Sequence, residues 1–266
     1  MMRFPLRLTA DLIKARIAQR FQGAGGSAPI LLIRPLEQAN PSTLDSTVFS
    51  AGQKTGTELL AGVRASGAPV VWIGGAEPLQ HPEMGQLARC IAGHGQHVFL
   101  ETDGVLLRRR IHEFRPVSRL FLTVQLNGLE QSHDFRVGQA GAFQLALEGI
   151  RAAKLSGFLI CVHARIDEES KLSEIAALIQ FARALDVDGF VISQTAGAPN
   201  VANRDGDALR QKTAEARKLI GSRWWEFFSR LVEKTLDREC QAVEHAPATS
   251  SIEQEADSTE EGVRVA

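Results

Sequence analysis

The sequence predicts an α/β fold: six parallel strands curled into an open, incomplete TIM-like (β/α)6 barrel, with an added N-terminal helix and a long C-terminal helix. Three observations lead there. Short runs rich in Val, Ile, Leu and Phe recur at 30–33, 70–73, 98–101, 120–126, 158–164 and 189–193, and several are apolar at consecutive positions, as in strands covered on both faces. Segments of helical period lie between them, near 57–65, 83–92, 105–114, 142–155 and 172–185, and strand–helix alternation implies a parallel sheet with right-handed crossovers. Six strands leave a barrel open where eight would close it. The alternative is a flat, doubly wound sheet.

Taken in order, residues 9–21 read as a helix with Thr9 as N-cap and Leu12, Ile13, Ile17 and Phe21 on one face. Its other residues are basic: Arg3, Arg7, Lys14, Arg16 and Arg20 face only Asp11. That pattern describes either a solvated helix on a barrel rim or an element that rests on a membrane surface. The stretch 1–27, ending in a Gly-rich joint, is therefore set apart from a barrel at 28–200. Residues 201–245 form a helical segment, with 207–236 one long stretch whose WWEFF run packs on the barrel or joins two subunits. The acidic, polar stretch 246–266 is expected to be a disordered tail.

Composition narrows the partners. With 44% hydrophobic residues in 266 the chain can bury a large core. A formal net charge of -1 and a pI near 6.7 give no basic surplus for nucleic acid. The three cysteines, Cys90, Cys161 and Cys240, form no CxxC and point to a reducing compartment. No apolar run reaches membrane-spanning length, so a cytoplasmic protein is expected, reaching the inner membrane only through its first helix. His94 and His97 straddle a helix end and its turn and read as surface residues rather than metal ligands.

The chain is organised around 69–84, PVVWIGGAEPLQHPEM. A buried strand ends there in Gly74 and Gly75, which permit positive φ or close approach of a ligand, and sets Glu77 beyond the strand's carboxyl end with Pro78 behind it. Glu77 either serves a ligand or caps the next helix. Alternation carries the argument to the other strands. In 120–127 the apolar set Leu120, Leu122, Val124 and Leu126 lies under the helices, leaving Phe121, Thr123, Gln125 and Asn127 inside. In 158–165 the inward set is Cys161, His163 and Arg165, and Glu101 shares a face with Phe99. Glu101, His163, Arg165, Gln125 and Asn127 thus surround either a ligand site or a satisfied buried ion-pair network.

Several segments, in order and spacing, resemble one known family. They are Pro5-Leu6-Arg7, Arg34-Pro35-Leu36, GAPVV from Gly67, GGAEPLQHPEM from Gly74, ETDGVLL from Glu101, VQLNGLEQSHD from Val124 and DVDGFVIS from Asp186. Over roughly residues 4–200 the chain resembles the radical S-adenosylmethionine (radical SAM) enzymes, and among them the adenosyl hopane synthase group of hopanoid biosynthesis. The resemblance implies an open (β/α)6 barrel. It also implies a CxxxCxxC loop after the first strand that holds a [4Fe–4S] cluster, on which S-adenosylmethionine is cleaved to a radical. Matching RPLEQANPSTLDS to that loop puts Ala39, Thr43 and Ser46 at the cysteine positions, so no 4Fe-4S cluster is expected: these side chains do not replace thiolates on iron. By the same resemblance Gly75, Ala76, Glu77 and Pro78 would hold the amino group of S-adenosylmethionine. Thr102, Gln125 and Asn127 would stand at further cofactor-contact positions. Glu101 replaces a cysteine of the hopane synthases, and a charged side chain is poorly matched to a triterpene.

Three functions follow as expectations. One is a pseudoenzyme that binds a small molecule or nucleoside, S-adenosylmethionine included, beside a paralogous radical SAM protein. The second is an enzyme of another class using Glu101, His163 and Arg165 as acid–base or anion-binding groups. The third is a scaffold working through its first helix, WWEFF run and acidic tail.

Overall fold

The computed structural model describes residues 2, 4–22, 28–36, 55–195 and 204–244. Ala39, Thr43 and Ser46, the joint at 23–27, the tail from 246 and the side chain of Cys240 lie outside the described residues. Six strands, β1 (Ile30–Ile33), β2 (Val70–Ile73), β3 (His97–Thr102), β4 (Leu120–Gln125), β5 (Leu159–Ile166) and β6 (Gly189–Gln194), form one all-parallel sheet in sequence order. Helices α1 (Leu6–Gln22), α2 (Gly56–Ser66), α3 (Met84–Gly93), α4 (Leu107–Arg110), α5 (Glu130–Val137), α6 (Ala142–Leu155), α7 (Leu172–Ala184), α8 (Arg204–Leu219) and α9 (Arg223–Glu244) complete the described elements. The sheet curls into the open, partial TIM-like barrel that the strand count predicts. β1 and β6 remain as its edges.

The lower interior of the barrel is filled by aromatic rings. Trp72, Phe99 and Phe121, from three adjacent strands, stack with centroids 5.7 and 4.6 Å apart. From α9, Phe228 lies 4.7 Å from Phe99 and Trp225 meets Phe121 edge-on at 6.4 Å. Such pairs contribute roughly 0.5–1.5 kcal/mol each beyond the area they bury. Gly189 opens β6 because the Trp225 ring occupies the space a side chain would take: a Cβ there would lie 2.3 Å from the indole.

Helix α9 packs against both edge strands and supplies what β6 lacks on its open side. The Ile192 N–H donates to Ser229 Oγ at 3.1 Å and the Gln194 N–H to Glu233 Oε1 at 3.3 Å. The Ile192 carbonyl accepts from Arg217 Nε at 3.1 Å, and Arg217 pairs with Glu233 at 2.6 Å. The outward backbone groups of Ile192 and the N–H of Gln194 are thereby satisfied without a further strand.

Five sequence expectations are corrected. Helix α1 starts at Leu6, after Pro5, whose fixed φ and missing N–H suit a helix start; Thr9 does not cap it but donates to the Pro5 carbonyl at 3.1 Å. Its buried face is Leu8 and Leu12, while Ile13, Ile17 and Phe21 stay exposed. The stretch 207–236 is two helices, because Gly221 at φ +69° ends α8 in a left-handed turn. His97 is buried, not a surface residue: its Nε2 and an Arg119 N–H both meet Asp11 Oδ2 at 3.1 Å, which ties α1 to the amino ends of β3 and β4. The helix at 105–114 shrinks to α4 and a 3-10 turn at Ile111–Glu113.

Replacing Gly189 with Ala should drive a methyl group into the Trp225 ring and lower stability by about 1–3 kcal/mol. Urea denaturation checks this, and an unchanged midpoint would contradict the packing described here.

Candidate functional site

The carboxyl ends of the strands carry a buried polar network centred on Glu101 of β3. Its Oε1 accepts from Gln125 Nε2 at 2.7 Å, from His163 Nδ1 at 2.6 Å and from an Arg165 N–H at 3.2 Å. Its Oε2 accepts from the Trp72 indole N–H at 3.0 Å. An ionised carboxylate only accepts, so His163 Nδ1 carries the hydrogen between them. His163 Nε2 lies 2.8 Å from the hydroxyl of Ser193. Burial alone would raise the pKa of Glu101. His163 beside it, with Arg165 and Trp72, outweighs burial and holds the carboxyl well below the usual carboxylate range.

The partners arrive on four other strands, and the inward parity of each strand brings them there. Trp72 comes from β2, Gln125 from β4, His163 and Arg165 from β5, Ser193 from β6. Gly74, just past β2, makes the room: a Cβ at that position would sit 2.8 Å from Glu101 Oε2. Glu101, His163 and Ser193 are fully enclosed, whereas the Arg165 side chain is 34% exposed at the mouth. Glu101, His163 and Arg165 are thus brought together, and they spend their contacts chiefly on one another.

The residues that the resemblance assigns to a cofactor lie around this network. Gly75 is exposed with φ +98° beneath the stem of Arg34, Ala76 and Glu77 are half-buried, and Pro78 is buried at the start of a 3-10 turn. Glu77 Oε1 caps that turn by accepting from the Leu79 N–H, and its Oε2 accepts from the Asp103 N–H, both at 2.9 Å. It therefore bridges the mouths of β2 and β3. Burial, then the nearby Asp103 carboxylate, raise its pKa to about 7. Neither acid has a basic ion-pair partner among the described residues. Thr102 Oγ1 accepts from the Gly104 N–H at 3.0 Å.

Asn127 Oδ1 accepts from the Arg165 N–H at 3.1 Å, and the Asn127 backbone is clamped by α5: its N–H donates to His133 Nδ1 at 3.2 Å and its carbonyl accepts from Arg136 at 2.6 Å. Ser193, Trp72, His133 and Arg136 are absent from the residues the sequence singles out. Alternation along β6 from Gly189 is the signal that finds Ser193. For Arg136 no local signal exists, since its ion pair with Asp167 at 3.1 Å joins α5 to the distant loop after β5.

Among the described side chains two thiols occur, Cys90 and Cys161, and neither is placed to serve a [4Fe–4S] cluster. Cys161 is fully buried inside β5, where burial pushes its thiol well above the ordinary range, and Cys90 lies on α3. Neither matches the exposed, readily ionised trio of thiols that such a cluster takes. Among the described residues no group of three or more His, Cys, Asp or Glu is placed to hold a metal ion.

Removing the central charge tests the network. Glu101→Leu leaves Arg165 and His163 without their acceptor and should cost about 3–5 kcal/mol in urea denaturation; a near-neutral result would show that the network contributes nothing to the fold.

Comparisons with known proteins agree with this architecture. A family model described as the radical SAM superfamily matches residues 57–182. An AdoMet-dependent heme synthase of Methanosarcina barkeri (strain Fusaro / DSM 804) is 30% identical over 125 residues, 46% of this chain and 36% of that protein. A pre-heme d1 synthase of Dinoroseobacter shibae (strain DSM 16493 / NCIMB 14021 / DFL 12) is 25% identical over 187 residues, 68% of this chain and 46% of that protein. The chain therefore spans less than half the length of these curated relatives. The crystal structure of Streptococcus suis SuiB bound to S-adenosylmethionine superposes with a TM-score of 0.56 at 14% identity, covering 79% of this chain and 51% of that one. Over residues 57–182 this chain is therefore similar to the radical SAM superfamily, and its barrel shares the fold of the SuiB structure.

Proposed function

We propose that this protein is a radical-SAM-fold homologue that works without an iron–sulfur cluster, binding S-adenosylmethionine or a related nucleoside as a ligand in a regulatory role. The observation that carries the reading is the pairing of a retained polar barrel mouth with a missing thiolate set. Three cysteines occur in the chain and none stands in a CxxxCxxC. Aligned with the family's cluster loop, Ala39, Thr43 and Ser46 offer no soft donor. No step of this proposal passes through a cluster.

S-adenosylmethionine itself suits the residues that remain. Glu77 and Asp103 are adjacent acids without a basic ion-pair partner among the described residues, and burial, with Asp103 beside it, raises the pKa of Glu77. A ligand ammonium group beside Glu77 would lower it. Gln125 and Asn127, half-buried at the ends of β4, would hold the rest of the ligand, with Gly75 and Ala76 leaving the backbone of β2 approachable. S-adenosylmethionine supplies a sulfonium centre, which here stays intact. Glu101, His163 and Arg165 position the wall of the site through their mutual bonds.

The order of GGAEP, ETDGVLL and VQLNGLEQSHD supports a place near the hopanoid-type enzymes, and a paralogue with an intact cluster motif is the partner that a regulatory homologue would serve. The heme-synthase names of the relatives support a second source of ligands, of tetrapyrrole type.

Calorimetry with S-adenosylmethionine tests the proposal. Binding is expected for the wild type and lost in Glu77→Ala. It should strengthen as pH rises from 6 to 7, because Glu77, titrating near 7, goes from mostly protonated to about half ionised while the ligand ammonium stays charged, which changes the apparent affinity about fivefold. Stoichiometric iron and sulfide uptake on anaerobic reconstitution would refute the cluster-free reading, and absence of binding would refute the ligand.

A further inference from the structure

We infer that α1 is a surface anchor for an anionic lipid bilayer, independent of whatever the barrel mouth binds. The helix carries two apolar faces. One, Leu8 and Leu12, is buried against the barrel. The other is turned away from it: Leu6, Ile13, Ile17 and Phe21 are 86, 45, 52 and 85% exposed. Their spacing of seven, four and four residues confines them to an arc of about 80° at 100° per residue, roughly opposite Leu8. A soluble helix that packs with one face has no packing reason for this second stripe.

Charge completes the pattern. Arg7 and Lys14 border the stripe on one flank and Arg16 and Arg20 on the other, all exposed. The single acid of the helix, Asp11, faces the barrel and is engaged by His97 and Arg119. An apolar strip with cations on both borders matches a bilayer interface, where aliphatic side chains enter the acyl region and Lys and Arg stems reach anionic headgroups. The chain's own acidic stretch, 246–266, has the complementary charge, but its only large aliphatic residues are Ile252, Val263 and Val265, too few and too scattered to cover the strip. No helix among the described residues is long and apolar enough to cross a membrane, so α1 would lie in the interface plane. The Asp11 ties place α1 at the amino ends of β3 and β4, so the bilayer would meet the end of the barrel opposite its mouth, which stays open.

The test is co-sedimentation of the full chain with phosphatidylcholine vesicles made with and without phosphatidylglycerol. The wild type should pellet with the anionic vesicles. The Ile13→Glu/Ile17→Glu variant, whose changes fall on exposed positions, should stay in solution, its bound fraction lower by about tenfold or more. A Lys14→Gln/Arg20→Gln variant should lose the preference for anionic lipid while the apolar strip is intact. Equal pelleting of the wild type and Ile13→Glu/Ile17→Glu, or equal binding to both vesicle types, would overturn the inference. So would a wild-type dimer in light scattering that Ile13→Glu/Ile17→Glu converts to monomer, since the strip would then belong to a second copy. Circular dichroism of both variants verifies that the fold is retained, and none of these outcomes depends on S-adenosylmethionine.

Discussion

A single carboxylate buried inside the barrel, that of Glu101, dictates much of what surrounds it. A charge in that position is tolerated only if its oxygens are fully hydrogen-bonded and a cation stands close by. Trp72, Gln125, His163 and Arg165 meet that demand from three other strands, and Gly74 leaves the space. The rings of Phe99 and Phe121 lie below this network, which occupies the carboxyl ends of the strands.

The openness of the barrel poses a second physical problem, that of strand edges. Ser229, Glu233 and Arg217 satisfy the exposed backbone of β6, while Trp225 and Phe228 enter the interior beside it. Helix α9 therefore acts both as edge cover and as core. Helix α1 does the opposite, offering one apolar face to the barrel and keeping a second outside. Averaged over the whole helix these two faces cancel, which is why a simple amphipathic reading places Leu12 with Ile13, Ile17 and Phe21 when the structure separates them.

Between these ends the chain presents an imbalance. The barrel mouth carries a pair of acids, Glu77 and Asp103, without a basic ion-pair partner among the described residues, beside half-buried amides at Gln125 and Asn127. Cys161, enclosed within β5, is held as the neutral thiol by its burial.

How much of this was legible in the chain depends on the range of the forces involved. Strand and helix order, the inward parity of Gln125, His163 and Arg165, and the turn at Gly74 and Gly75 follow from local alternation and glycine's freedom, so the sequence by itself determined the barrel and the set of side chains facing into it. Ends of elements were less legible: Pro5 and Gly221 decide where α1 begins and α8 stops, and both are local signals that a longer apolar pattern masks. Burial of His97, the clamp of Arg136 on Asn127, the reach of Ser193 to His163 and the exposure of Ile13, Ile17 and Phe21 were decided by tertiary structure alone. Each depends on which distant segment arrives beside the residue, and periodicity along one element carries no information about its neighbours across the fold.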